Sequence, residues 1–406
     1  MDSTSLPGIF VTIPLMDELE NTEALFNCLN QQEVTYATTV IIVVNQPERW
    51  WNDANKLQIC ENNQQTIEKI NKIIVNKECK FPVRLIDASS PGKAWTEKAY
   101  GVGQARKVVM DAASALAGEK DIIVSMDGDT LFGNSYLQSI GDSFRRNPSA
   151  VAMAVPYYHH LTENELINRA ILRYEIYMRC YLLNLIRINN PYAFTALGSA
   201  MACTVRAYRV IMGITPHKSG EDFYFLQKLC KYGTILTANE DVVYPAARFS
   251  DRVFFGTGPA LIKGSRGDWS SYPVYDYRLF NLVKQTYDAF PLLYTGDIET
   301  PMTPFLQQVF GEEDIWKALR KNFKSQEMFV KACRHKVDAL RILQFLKARQ
   351  MESRECDEKH LIAFMSECFS PHNLNFSKNF SFAISPVSEL DMIRNFLFVQ
   401  EKSLRK

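Results

Sequence analysis

The chain has 406 residues, 47% of them apolar and 22% charged, and carries a formal net charge of +1. That length exceeds what one compact core fills, so a large domain with an appended region is expected. Near-neutrality removes any strong electrostatic case for nucleic acid or an anionic membrane as partner, and the composition excludes a disordered or fibrous chain.

Nine cysteines are scattered without a C-x-x-C pair. The odd count and the spacing argue against a disulfide framework or a zinc site, and a reducing cytoplasm suits them. The opening "MDSTSLPGIF" lacks the basic and apolar regions of a signal peptide. No run of about 18 apolar residues offers a membrane span.

The first element is "GIFVTIPL" (8–15), a β-branched run containing Pro14 and predicted as a strand. "TEALFNCLNQQ" follows with apolar residues at helical spacing, and "TTVIIVVNQ" (38–46) reads as a strand buried on both faces. A helix is expected around "TIEKINKII", a third strand over "FPVRLIDAS" (81–89), and an amphipathic helix over "GVGQARKVVMDAASALAG" (101–118). "DIIVSMDGD" then supplies a fourth strand. This alternation predicts a mostly parallel sheet with helices on both faces. Ligands of such sheets bind beyond the carboxyl ends of the strands, where Asn45, Asp87, Asp127 and Asp129 are expected.

After residue 150 the pattern changes. "SAVAMAVPYY" suggests another strand. "ILRYEIYMRCYLLNLIRI" (171–188) suggests a mostly apolar helix with a charged face formed by Arg173, Glu175, Arg179 and Arg187. A core or interface role is expected for it, with peripheral membrane contact as the competing reading. "AFTALGSAMACTVRAY" is small and apolar, "SGEDFYFLQKLCKYG" opens a helix with two acids, and the segment 250–269 is glycine-rich and basic. Residues 300–406, rich in Lys, Glu, Phe and Leu, read as a mainly helical extension. The expected division is 1–299, with halves 1–150 and 151–299, and 300–406.

Asp127-Gly128-Asp129 follows a buried strand. Two acids at i and i+2 can converge on a hard divalent cation through oxygen ligands, and the same residues also make ordinary turns. Leu131 and Gln138 stand where an EF-hand needs ligands, and no phosphate-binding P-loop pattern occurs. His159-His160 has no acidic partner at metal spacing and reads as structural. Trp50-Trp51 reads as packing.

Taken in order, "FVTIPLMDE", "VIIVVNQPE", "GVGQARK", "IIVSMDGDT", "ALGSAMACTVRAY" and "GEDFYFLQKLCKYG" resemble the family 2 glycosyltransferases, over about residues 8 to 245. The resemblance implies an α/β GT-A fold, Rossmann-like, with a mostly parallel central sheet flanked by helices. It implies inverting transfer from a nucleotide-sugar donor to a hydroxyl acceptor, a glycan or lipid-linked sugar, with Mg²⁺ or Mn²⁺ as cofactor. Carried over, Asp129 and Asp127 are the metal residues. Asp222 is the base and Glu221 its neighbour in orienting substrate. Pro14, Asn45, Asp87, Arg106, Asp127, Gly198 and Arg252 lie at the donor. Asn45 stands where the family usually has Asp, and Lys107 where it usually has Asn. The third, histidine ligand has no counterpart between His217 and His335, so Asp251 or water would complete the set. Arg248, Arg252, Lys263 and Arg266 are candidates to neutralise the departing diphosphate. The expected location is cytoplasmic, with the inner membrane face open to it. The oligomeric state is not readable.

Two other classes stay open. A haloacid-dehalogenase-type or nucleotidyltransferase enzyme also handles phosphate, but the first wants its acids after the first strand and the second an N-terminal glycine-rich basic loop. A binding module on the same fold would be expected to lose one of Asp127, Asp129 or Asp222, and all three are present.

Overall fold

The computed structural model describes residues 6–96, 100–249, 257–369 and 376–405. The chain forms two compact units. The first takes 1–171, 194–266 and the last two residues; the second takes 172–193 and 267–404. Composition put the change of character near residue 300, whereas contacts put it at Gly267 and assign 172–193 to the second unit.

The first unit opens with β1 (Ile9–Leu15), α1 (Leu19–Asn30), β2 (Thr38–Asn45), α2 (Leu57–Val75), β3 (Val83–Ala88), α3 (Val102–Leu116) and β4 (Ile122–Ser125). It continues with β5 (Leu131–Phe132), α4 (Tyr136–Arg146), β6 (Ala150–Ala154) and the first residues of α5 (Glu165–Arg187). Then come β7 (Met201–Thr204), α6 (Val205–Val210), α7 (Glu221–Tyr232), β8 (Thr234–Leu236), β9 (Val243–Tyr244) and α8 (Thr257–Ser265). Seven strands form one sheet in the order β3-β2-β1-β4-β7-β6-β8, and β5 pairs with β9 in a small ribbon. β1 lies parallel to β2 and β4, β2 parallel to β3, and β6 parallel to β8; β7 alone runs against its neighbours β4 and β6. This is the α/β architecture expected, a mostly parallel sheet flanked by helices.

The reason is visible in burial. Val40 to Val44 are all fully buried, as a central parallel strand covered on both faces requires, and so are Ile122, Ile123 and Val124 of β4. α3 packs Ala105, Val109, Met110 and Ala113 inward at helical spacing. The register places Leu15 beside Val44 and Val44 beside Asp87, and Thr12 beside Ser125. The carboxyl ends of β1 to β4 therefore share one edge, and the segments carrying Glu18, Gln46, Asp87 and Asp127 all leave the sheet there.

The second unit contains α5 from Leu172 onward and α9 (Tyr277–Ala289), α10 (Thr303–Phe310), α11 (Lys317–Asn322), α12 (Gln326–Lys336), α13 (Ala339–Gln350), α14 (Asp357–Cys368) and α15 (Val387–Leu404). Leu172, Ile176 and Leu183 of α5 share a core with Leu361, Leu390 and Leu397. Of the four charged residues expected on one face of α5, Arg187 is exposed and the other three lie inside, in keeping with a core role. Glu175 and Arg179 are fully buried, and Arg173 nearly so. Arg179 Nη1 donates to Glu401 at 2.5 Å and its Nε to Glu175 at 3.1 Å, while Arg394 Nη1 donates to the other Glu175 oxygen at 3.2 Å. Arg173 pairs with Asp357 and its guanidinium lies 4.2 Å from the Phe382 ring centroid. Buried charges require such partners, so α5 from Leu172 onward belongs to the interior of this unit. No helix among the described residues is long and apolar enough to cross a membrane.

Candidate functional site

The site grows from the end of β4. A turn from Asp127 to Thr130 is closed by the Thr130 amide on the Asp127 carbonyl at 3.2 Å. A Cβ on Gly128 would run into the Leu15 side chain at the end of β1, so glycine is what lets this turn press against the neighbouring strand. The two flanking carboxylates are taken by two different guanidiniums.

The first is Arg106, on the first turns of α3 and 3% exposed. Its Nη2 donates to Asp127 at 2.7 Å, its Nε to Glu221 at 2.9 Å, and its Nη1 to Ser125 Oγ at 2.9 Å and the Gly198 carbonyl at 2.8 Å. One side chain thus joins α3, the end of β4, the segment before β7 and the start of α7. Burial works against its charge, but Asp127 and Glu221 outweigh that and its pKa is raised. Gly198 is needed here, since a Cβ would fall inside the Arg106 guanidinium. Close approach also explains Gly103, a turn before Arg106 in α3, where a Cβ would strike the His217 backbone.

Asp222 follows Glu221 at the start of α7. Its carboxylate accepts from the Phe223 amide at 2.7 Å. Its pKa is pushed up to about 7, by burial first and then by the charge of Glu221, with Arg106 pulling the other way. The helix N-terminus favours the ionised form, but desolvation and the neighbouring acid win.

The second guanidinium is Arg248. Its Nη2 pairs with Asp129 at 2.6 Å and also with Glu18. Glu18, at the start of α1, is 6% exposed and accepts from Asn21 at 2.5 Å. The sequence pattern did not single out Glu18, because an acid between a strand and a helix reads as an ordinary first-turn charge. Of the basic residues considered for the diphosphate, Arg248 is the one among the described residues that pairs with the DGD turn. Lys263 and Arg266 are exposed at the end of α8. Asp251 and Arg252 lie outside the described residues.

Asn45 and Asp87 stand at the ends of neighbouring strands with partners of their own. Asn45 donates to the Leu15 carbonyl at 2.9 Å and is 4% exposed. Burial would raise the Asp87 pKa, but hydrogen bonds from Ser90 and Ser89 and the ammonium of Lys93 outweigh it and hold it below the usual value. Pro14 lies within β1 opposite Val43. Lys107 pairs with Asp111 on its own helix at 2.7 Å. Trp50 is packed edge-on to Tyr100, and Trp51 Nε1 donates to the Ser89 carbonyl. His159 is fully buried against Tyr157, and His160 stacks on Tyr244.

Among the described residues no group of three or more His, Cys, Asp and Glu side chains stands ready to enclose a metal. What fits a hard cation is the Asp129 carboxylate: it already meets a positively charged nitrogen of Arg248 that it shares with Glu18, and carboxylate oxygens are the ligands Mg²⁺ and Mn²⁺ prefer.

No protein-family model matches this sequence, and no curated protein matches it. Solved structures do resemble the chain. S. aureus TarS 1-349 in complex with UDP-GlcNAc matches at 13% identity and a TM-score of 0.43, covering 91% of this chain and 95% of that one. The mannosyltransferase PcManGT from Pyrobaculum calidifontis, in complex with GDP-Man and Mn²⁺, matches at 11% identity and a TM-score of 0.39, covering 99% and 88%. GalNAc-T7 with UDP, GalNAc and Mn²⁺ matches at 11% identity and a TM-score of 0.40, covering 82% and 58%.

Proposed function

We propose that this protein transfers a sugar from a nucleoside-diphosphate sugar to a hydroxyl acceptor, with inversion at the anomeric carbon and with a divalent cation. The observation that carries this reading is the Arg106 hub. One buried guanidinium ties the carboxylate turn at the end of β4 to the acid pair opening α7. An active site for this reaction needs those two functions side by side, a place for the diphosphate and a base for the acceptor.

In this reading 1–150 supplies the donor side and 151–299 the acceptor side and base, and 300–406 is the helical extension. Asp222 takes the proton of the acceptor hydroxyl as that oxygen bonds to the anomeric carbon. The carbon–oxygen bond to the diphosphate breaks at the same time, and the diphosphate leaves with the electron pair. A pKa near 7 suits a base that works near neutrality. Glu221 orients Arg106 and so the Asp127 carboxylate. Asp129 and Asp127 would hold the cation, which would neutralise the charge of the leaving group.

The test is thermal unfolding with UDP and with GDP, each with and without Mn²⁺, on wild type and Asp129→Ala. A ligand at 100 times its dissociation constant adds about 2.7 kcal/mol, on the order of 5 to 10 °C for a domain of this size. The expected result is a metal-dependent shift with one nucleotide that the variant loses. No shift with either nucleotide, or a shift that survives Asp129→Ala, would count against the donor site.

A further inference from the structure

Five carboxylates gather at the strand ends and the start of α7: Glu18, Asp127, Asp129, Glu221 and Asp222. Among the described residues the guanidiniums of Arg106 and Arg248 answer them, and these differ in how firmly they are held. Arg106 is 3% exposed and engaged on all three of its nitrogens by protein groups from three other segments, so it is firmly held. Arg248 has about a third of its side chain exposed and reaches Glu18 and Asp129 through a single nitrogen. Glu18 is buried and anchored by Asn21, whereas Asp129 sits on the turn. The arrangement is a pivot: one fixed carboxylate, one carboxylate wanted by another cation, and a movable guanidinium between them.

We propose that Arg248 is an internal competitor of the divalent cation for Asp129, retained by Glu18 when the cation displaces it and thereby presented to the donor's diphosphate. This rests on the donor-site reading above and assigns Glu18 and Arg248 a positioning role within it. The physical consequence is coupling. Metal alone binds poorly because it must expel a guanidinium without offering it another anion. Metal with a nucleoside diphosphate binds well because the released guanidinium gains a phosphate partner, for which its planar fork is suited. A guanidinium that left Asp129 without Glu18 behind it would be lost to solvent, which is why the fixed carboxylate matters.

The experiment is Mn²⁺ binding followed by loss of the free-ion electron paramagnetic resonance signal, with and without UDP or GDP, on wild type, Arg248→Gln, Arg248→Lys and Glu18→Gln. Arg248→Gln should bind Mn²⁺ alone about tenfold more tightly than wild type, because a like charge at hydrogen-bond distance is gone. It should also lose most of the gain in Mn²⁺ affinity that the nucleotide gives wild type. Arg248→Lys keeps the charge and should resemble wild type in metal affinity without nucleotide. Glu18→Gln should weaken nucleotide binding in the presence of Mn²⁺. Circular dichroism confirms that each variant is folded. If wild type binds Mn²⁺ with a nucleotide and Arg248→Gln binds Mn²⁺ alone no more tightly than wild type, the competitor role is refuted and the donor site stands. If wild type binds no Mn²⁺ with either nucleotide, the donor-site reading falls and this inference falls with it.

Discussion

Replacing Arg106 by methionine tests the hub directly. Methionine fills the aliphatic portion of the side chain and removes the charge. Asp127 is about one-third exposed and can turn to water, but the Glu221 side chain is 5% exposed and cannot. Ser125 Oγ still donates to the Gly198 carbonyl at 2.8 Å, so that carbonyl keeps a partner. The loss is therefore concentrated on Glu221, a buried carboxylate left without its cation. Breaking one side of a buried pair costs about 3 to 5 kcal/mol. For a unit of this size that lowers the midpoint of thermal unfolding by about 6 to 20 °C. Arg106→Met with Glu221→Gln removes the uncompensated charge and should recover about 2 kcal/mol relative to the sum of the single changes. Urea unfolding of wild type, both single variants and the double variant measures this. A single variant that loses less than about 1 kcal/mol, or a double variant that loses the full sum, would show that Arg106 and Glu221 are not coupled and that no hub exists.

Asp222 has a folded-state pKa raised from its ordinary value to about 7, so the folded protein binds this proton more tightly than the unfolded chain does. Its contribution to stability is present below the ordinary carboxylate range and is lost as pH rises through about 7. Asp222→Asn should flatten that decline, seen in unfolding midpoints between about pH 4 and 8, and should abolish the rise in transfer rate with pH near 7. A variant that keeps both pH dependences would assign them to another group. In the second unit, Glu175→Gln strips a fully buried carboxylate from Arg179 and Arg394 and should cost about 3 to 5 kcal/mol by denaturant unfolding. Asp288→Asn, at an exposed pair with Lys284, should cost less than about 1 kcal/mol. Equal costs would mean that burial does not set the strength of these pairs.

The features of the site read most directly from the sequence are those tied to a strong local pattern. The DGD turn follows an unbroken apolar strand, and Glu221-Asp222 follows a glycine that sits in the left-handed region with φ +73°. Arg106 was expected near the donor, but its union with Glu221 spans 115 positions and leaves no local trace. Glu18 and Arg248 are 230 positions apart, and neither is unusual where it stands. The reversal of β7 was also invisible, because a four-residue run, "MACT", carries no direction. The core role expected for α5 holds, but the partners of its charges left no local trace. Glu175 and Arg179, four apart on a helix, pair with each other, and Arg394 and Glu401 from the far end of the chain complete their environment.

That last pairing constrains the order of events during synthesis. Arg179 is made 222 residues before the carboxylate that accepts its second hydrogen bond. Until α15 emerges from the ribosome, α5 carries a guanidinium and a carboxylate into an interior that cannot yet close around them. The second unit should therefore gain protease resistance late, when residues 387–404 arrive, and a nascent chain halted before them should stay open and dependent on chaperones.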